Sequence, residues 1–344
     1  MSTRKSTSVN ENISNAIPTI YLNNEDEGQT AAQLRNACTH VGFFYLEQHG
    51  VSSELLSRVL TASTELFSLP LDEKVKLMDS VLNRGYTQMG EEKLDPQNQP
   101  TKGDTKEGYY LGKDVPIASP MYNPAKLSGP NVWPTPETCP SWTQSQCKQF
   151  ETTMKQYFDV MSSVGLKVVQ LLALAIGLPT KHFFDDAFAD PMALLRLLHY
   201  SSAPSCPSKG IYGCGAHSDY GMITLLLTDK HRGLQILTKE SQWVDVPPRN
   251  GAFIVNLGDM LERWTNGLFR STIHRVIIPV STESCGKKAD RYSIPFFYEP
   301  NFDTVVKCLD VCCPNGEPKY LPATSGRHLL EKYAQTHADF SPFP

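Results

Sequence analysis

The sequence predicts a mainly β fold, a sandwich or barrel with helices packed outside it. Three observations carry this expectation. Beyond Asp190 the chain breaks into many short β-type runs. These runs are closely spaced and divided by turns, which favours a sandwich or barrel over βαβ units. Helical periodicity is concentrated before Asp190 and again near the C-terminus.

Taken in order, Ile17 to Leu22 reads as an opening strand, and Ala31 to His40 as a helix with Leu34, Ala37 and Cys38 on one face. Gly42 to Leu46 is β-rich and ends at Gly50. Ser53 is the expected N-cap of a helix over Glu54 to Phe67, whose Leu55, Leu56, Val59, Leu60, Leu66 and Phe67 follow the 3.6-residue period. A short helix is expected around Asp72 to Met78. Asn83 to Pro140 is dense in Pro, Gly, Asn and Asp, and an irregular segment of that length is more often functional than idle. Gln144 to Ile176 gives the longest helical pattern, closed by Gly177, Leu178 and Pro179. The expected strands beyond it are Met192–Tyr200, Met222–Leu227, Leu234–Leu237, Ala252–Asn256, His274–Pro279 and Tyr292–Tyr298, followed by an amphipathic helix from Ser325 to His337.

The 344 residues are 40% hydrophobic and 20% charged, enough for one large domain or two intimately packed ones. The net charge is −4, from 32 basic and 36 acidic residues, with no dense Lys/Arg run. That argues against nucleic acid and anionic membrane as partners. Residues 1–16 are polar and read as a flexible tail, and no stretch is expected to span a membrane. A cytoplasmic monomer is the expectation. The nine cysteines are then reduced thiols. Cys308, Cys312 and Cys313 cluster, but they lack a second ligand pair at a zinc spacing.

Chemistry concentrates in Gly215-Ala216-His217-Ser218-Asp219-Tyr220-Gly221. On extended backbone, residues two apart share a side, so His217 and Asp219 can converge on one atom. A third ligand must come from elsewhere, and His274, opening a β-type run, is the best candidate. Two imidazoles and one carboxylate make the facial triad of non-haem Fe(II) oxygenases. Zinc hydrolases also use two His and one acid, but their commonest signature, H-E-x-x-H, is missing from the sequence. An H-x-D alone is weak. Support comes from Arg291-Tyr292-Ser293, where Arg291 and Ser293 share a strand face. A guanidinium fork and a hydroxyl together suit the distal carboxylate of 2-oxoglutarate.

With these residues in hand, the sequence resembles the Fe(II)/2-oxoglutarate-dependent dioxygenase superfamily, in its branch similar to isopenicillin N synthase. The N-terminal half is similar in Ile17-Pro18-Thr19-Ile20, Gly42-Phe43-Phe44-Tyr45, His49-Gly50-Val51 and Arg84-Gly85-Tyr86. The C-terminal half is similar in Gly215 to Asp219, Gly233-Leu234-Gln235, Asn256 to Asp259, Ser271 to Arg275 and Arg291 to Ser293. Lys106 to Gly112, His217 to Met222 and Leu261 to Trp264 look like a eukaryotic group akin to plant homoarginine hydroxylases, ethylene-forming enzyme and fungal oxygenases of nicotinate or thymine breakdown.

The resemblance implies a distorted jelly roll, or double-stranded β-helix, with iron on His217, Asp219 and His274 and 2-oxoglutarate on Arg291 and Ser293. It adds Tyr200 as a co-substrate contact, although Leu198-His199-Tyr200-Ser201 stands where the plant enzymes carry N-Y-Y-P. It also implies O2 as co-substrate, ascorbate as a candidate reductant, and oxidation of a small metabolite with release of succinate and CO2. The implied organisation is a tail at 1–16, an N-terminal dioxygenase region at 17–140, a long helix and connection at 141–189, a jelly-roll core at 190–300 and a helical extension at 301–344. Candidate substrate contacts are Arg196, His199 and Tyr220, with Tyr86, Glu107 and Tyr110 from the irregular segment. Arg196 is expected to face inward and either meets an acidic substrate group or holds Glu107 or another carboxylate. Two rivals stand beside this expectation, an iron oxidase of the same fold that does not use 2-oxoglutarate and a catalytically idle ligand-binding member.

Overall fold

The computed structural model describes residues 17–100, 102–279 and 289–336. The expected tail at 1–16 and the last expected helical residue, His337, lie outside the described residues. Alternating side chains build two sheets. Strand β1 (Thr19–Tyr21) runs parallel to β2 (Phe43–Glu47), and every other pairing of the large sheet is antiparallel. With β3 (Met78–Asp79), β4 (Arg84–Thr87), β5 (Lys106–Gly112), β6 (Met192–Tyr200), β8 (Ile223–Thr228), β11 (Phe253–Leu257) and β13 (Arg291–Glu299), the order is β1-β2-β11-β8-β13-β6-β5-β4-β3. The small sheet has the order β10-β9-β12-β7, from β7 (Cys214–His217), β9 (Leu234–Leu237), β10 (Trp243–Asp245) and β12 (His274–Val276). Two largely antiparallel sheets built from strands distant in sequence give the jelly-roll sandwich. A further pair, β14 (Val305–Val306) and β15 (Ala323–Thr324), stands apart.

Strand parity sorts the core. In β11, Phe253, Val255 and Leu257 join the cluster under the helices, whereas Ile254 packs with Leu234, Ile236 and Val244 of the small sheet. In β6, Ala193, Leu195 and Leu197 face the helices, while Leu198 and Tyr200 pack with Cys214 and Val276 between the sheets. Burying each such side chain contributes about 1.5–3 kcal/mol. The functional residues occupy the inter-sheet face.

Helices cover the other face of the large sheet. Helix α1 spans Glu27–His40, starting earlier than the apolar period suggests because Asp26 accepts the Gln29 N–H and caps it. Helix α2 is Ser53–Phe67, and its N-cap is Ser52 rather than Ser53, since the Ser52 hydroxyl accepts the Leu55 N–H. A single turn, α3 (Leu71–Lys74), continues into a 3₁₀ turn. Helix α4 is Gln144–Ile176, opened by a Thr143/Gln146 capping box and closed by Gly177 at φ 96°.

By length and composition α4 could cross a membrane, contrary to the sequence expectation. Phe150, Met154, Met161, Val168 and Leu172 instead sit in the core beneath the sheet. The segment expected to be irregular, Asn83 to Pro140, contains β4 and β5, whose residues are all buried. Helix α5 (Asp259–Trp264) follows β11, and α6 (Ser325–Thr336) packs Leu329, Leu330 and Tyr333 against Leu127 and Leu194.

Candidate metal centre and active site

His274 and His217 are cross-strand partners in the β12–β7 pair, so both imidazoles project from adjoining backbone on one face. Their ring centroids are 4.3 Å apart. Asp219 lies two residues past the end of β7, on irregular backbone rather than a continuing strand. Asp219 Oδ1 is 3.7 Å from Nε2 of each histidine, and the ligand atoms of the three residues lie within 4.8 Å of one another.

Each ligand is oriented by a partner behind it. His217 Nδ1–H donates to the Gly215 carbonyl at 2.8 Å and His274 Nδ1–H to the Thr272 carbonyl at 3.1 Å, which leaves both Nε2 lone pairs facing Asp219. Asp219 Oδ2 accepts from Thr224 Oγ1 at 2.5 Å and from Asn256 Nδ2 at 2.6 Å, so Oδ1 is left for a metal. Burial, and then the neighbouring His217, pull His274 down to about 4, which keeps it a neutral ligand. Two imidazoles and one carboxylate on one side, with the opposite side open to a pocket, fit a ferrous ion. Among the described residues this is the one such ligand group.

Arg291 and Ser293 stand on the inter-sheet face of β13, both almost fully buried. Arg291 pairs in register with Tyr200 and its guanidinium sits 4.9 Å from that ring, while Nη1 donates to Ser293 Oγ at 3.3 Å. Arg291 Nε has no hydrogen-bond partner, and among the described residues no carboxylate pairs with this cation. A buried guanidinium without an anion suits an anionic ligand.

On the other side of the triad is a narrow pocket of about 50 Å³. Tyr110, Arg196, Tyr220, Phe297, Glu299 and Tyr333 line it together with His217 and Asp219. A larger cleft of about 640 Å³ lies outside, divided from it by Leu194 and Leu329, which line both.

Of the substrate contacts expected from sequence, Arg196, Tyr110 and Tyr220 are at this pocket. Arg196 faces inward as its parity implies, and its guanidinium lies 4.1 Å over the Tyr110 ring, in room left by Gly108. Its carboxylate partner is Glu92, at 3.0 Å, rather than Glu107. Glu92 also pairs with Lys106 at 2.7 Å, Lys106 pairs with Asp104, and Asp104 accepts the Gly215 N–H at 2.8 Å. This network thereby anchors the strand that carries His217.

His199, Glu107 and Tyr86 lie elsewhere. Odd-numbered residues of β5 and β6 turn to the helices, as Tyr109, Leu195 and Leu197 do, and Tyr86 of β4 is the ladder partner of Tyr109, so these three side chains are on the face away from the triad. They bond one another: Glu107 accepts from His199 Nδ1 at 2.7 Å, Lys74 at 2.8 Å and the Tyr86 hydroxyl at 2.5 Å. His199 Nε2 also reaches Asp290 at 3.1 Å. Burial works against both charges, but the hydrogen bonds outweigh it. Glu107 is held below the usual carboxylate range and His199 above the usual imidazole value.

Glu92, Glu299, Phe297 and Tyr333 escaped the sequence reading as pocket residues. A signal for two of them existed, because Phe297 and Glu299 share the parity of Arg291 and Ser293. Glu299 is 4% exposed, and burial pushes its carboxyl up to about 8 despite the Met222 N–H donating to it at 2.7 Å.

A facial His-Asp-His set inside a jelly-roll sandwich defines a mononuclear non-haem metal enzyme. Comparison with known proteins narrows this. Residues 17–136 match the family described as non-haem dioxygenase in morphine synthesis N-terminal, and residues 192–300 match the 2OG-Fe(II) oxygenase superfamily. The chain is 38% identical to the 2-oxoglutarate-Fe(II) type oxidoreductase hxnY of Emericella nidulans, over 89% of this chain and 84% of that protein. It is 31% identical to a homoarginine-6-hydroxylase of Oryza sativa subsp. japonica, over 90% of each. The crystal structure of full-length Neurospora crassa T7H in complex with alpha-KG superposes with a TM-score of 0.79 at 29% identity, covering 92% of this chain and 96% of that one. The same protein has been solved with alpha-KG and thymine.

The chain belongs to the 2OG-Fe(II) oxygenase superfamily. It is a 2-oxoglutarate-dependent non-haem iron dioxygenase, with Fe(II) as its metal and 2-oxoglutarate as its co-substrate.

Proposed function

We propose that this dioxygenase hydroxylates a small, compact metabolite, with 2-oxoglutarate anchored on Arg291, Ser293 and Tyr200 and the substrate held in the pocket of Tyr110, Arg196, Tyr220 and Phe297. The observation that carries the co-substrate half is the buried Arg291 guanidinium, whose Nε has no partner and which shares a face with Ser293. Tyr200 pairs in register with Arg291 and packs its ring against that guanidinium, so the three line one wall. Iron supplies O2 activation coupled to oxidative decarboxylation of 2-oxoglutarate to succinate and CO2. The protein's part is to bind both reactants, orient a C–H bond and exclude water. Arg291 compensates the distal carboxylate, and Asn256 and Thr224 hold the Asp219 ligand.

The narrow pocket and its aromatic walls support a small substrate over a polymer. The relatives act on, or have been solved with, small molecules of this size, homoarginine for the rice enzyme and thymine for T7H. The finer placement in the isopenicillin N synthase-like branch, and action as a cytoplasmic monomer, belong to the same proposal. The eight cysteines among the described residues are all free, which suits a reducing compartment.

A screen of amino acids, guanidino compounds, pyrimidines and pyridine derivatives for stimulated succinate release tests the proposal. A hydroxylated product formed with one succinate per turnover is the expected result. Succinate release that no small molecule in the screen stimulates would count against it.

A further inference from the structure

We propose that Glu299 is the specificity-determining contact for the substrate, its carboxyl receiving an N–H group, so that the preferred substrates are compact nitrogen compounds presenting an N–H edge beside the metal centre. The inference rests on the dioxygenase reading above.

Glu299 closes β13 on the same face as Arg291 and Ser293, and it lines the pocket that also contains His217 and Asp219. One oxygen, Oε2, accepts the Met222 N–H at 2.7 Å, and among the described residues no donor reaches the other. The chain makes deliberate room for this group. A Cβ on Gly221 would overlap Oε2, so only glycine at 221 lets the carboxyl lie there.

Among the described residues no cation pairs with Glu299. Arg196, which lines the same pocket, is committed to Glu92, and the acidic neighbours Asp219 and Asp259 only add repulsion. A carboxyl oxygen that faces the pocket without a donor among the described residues is open to a ligand N–H. The rings of Tyr110, Tyr220, Phe297 and Tyr333 line the same space and suit a flat group, whether a neutral lactam ring or a guanidinium. Both chemistries share the N–H donor.

The test uses the full chain loaded with Fe(II) and 2-oxoglutarate under argon, titrated calorimetrically with two matched pairs of probes. One pair is thymine and N1,N3-dimethylthymine; the other is homoarginine and its analogue with a hydrocarbon branch in place of the guanidino group. Succinate release is then measured in air. At least one N–H probe is expected to bind and to stimulate turnover, with its blocked partner about tenfold weaker or worse. Glu299→Leu should erase that difference while leaving 2-oxoglutarate affinity within about twofold. Glu299→Gln, which keeps the shape and the Met222 bond, should retain the lactam and lose the guanidinium, and so tells the two classes apart.

Equal binding of free and blocked probes, discrimination that survives Glu299→Leu, or no binding by either N–H probe would each overturn the proposal. Failure of the underlying reading looks different, because the unmodified protein would then not bind 2-oxoglutarate at all.

Discussion

Asn256 Nδ2 donates to Asp219 Oδ2 at 2.6 Å and so fixes which oxygen of the carboxylate faces the two histidines. Asn256 reaches Asp219 because it is the one residue of β11 whose parity turns a polar group toward the small sheet at that level. Orientation by such a partner is worth about 10–100-fold in metal affinity. Asn256→Ala should therefore weaken Fe(II) binding by roughly that factor, read by competition with a chelator. Unchanged affinity would mean that Thr224 alone holds the carboxylate.

The Glu107 network makes a different prediction, because it is on the helix side of the sheet. Glu107→Gln should lower unfolding free energy by roughly 1–3 kcal/mol, since Lys74 and His199 lose a buried anion. Iron and 2-oxoglutarate affinity should stay as they are. The pH signs follow from the two shifts. Glu107, held low, contributes stability above the ordinary carboxyl range and loses it as pH falls through its depressed value. His199, held high, contributes stability below the ordinary imidazole value and loses it as pH rises through its raised one. The network is thus strongest between those limits, and denaturant melts across pH will show whether Glu107→Gln removes that plateau.

Glu299 behaves in the opposite way from a paired carboxylate. Its folded value, about 8, lies above the unfolded one, so the folded protein retains a proton that the unfolded chain releases. Stability of the metal-free protein should fall as pH climbs from the ordinary carboxyl range through about 8, by at most about 1.4 kcal/mol per pH unit. Glu299→Gln should flatten that slope. A slope identical in the two proteins would show that the carboxyl ionises freely in the fold.

Arg291 can be separated into charge and shape. Arg291→Leu should raise the 2-oxoglutarate KM by on the order of 100-fold, corresponding to about 3 kcal/mol of charge-assisted hydrogen bonding. Arg291→Lys keeps the charge without the planar fork and should fall between. Equal KM values in all three proteins would remove Arg291 from the co-substrate site.

Much of the site was legible because its signals are local. His217 and Asp219 are two residues apart, and Arg291 and Ser293 share a strand face by simple alternation. Even there, the carboxylate stands on irregular backbone past the end of β7, which spacing alone does not reveal. What stayed hidden depends on pairing across the sheet. Glu92 sits in an irregular segment, and only the fold brings it to Arg196, 104 residues away. Alternation along a strand is enough to set His199 apart from Arg196 and Tyr200, and Glu107 apart from Tyr110. The strands β4 and β5 were masked by the Pro- and Gly-rich composition around them, since tertiary pairing can override weak local propensity.

The most direct test of the central claim is an anaerobic titration of 2-oxoglutarate into the Fe(II)-loaded protein, followed in the visible region. A weak charge-transfer band should grow to saturation at one 2-oxoglutarate per iron, be missing from His217→Ala because iron is not retained, and need far more 2-oxoglutarate in Arg291→Leu. A protein that binds no Fe(II), or that binds it with His217→Ala unaffected and gives no band, would contradict the account.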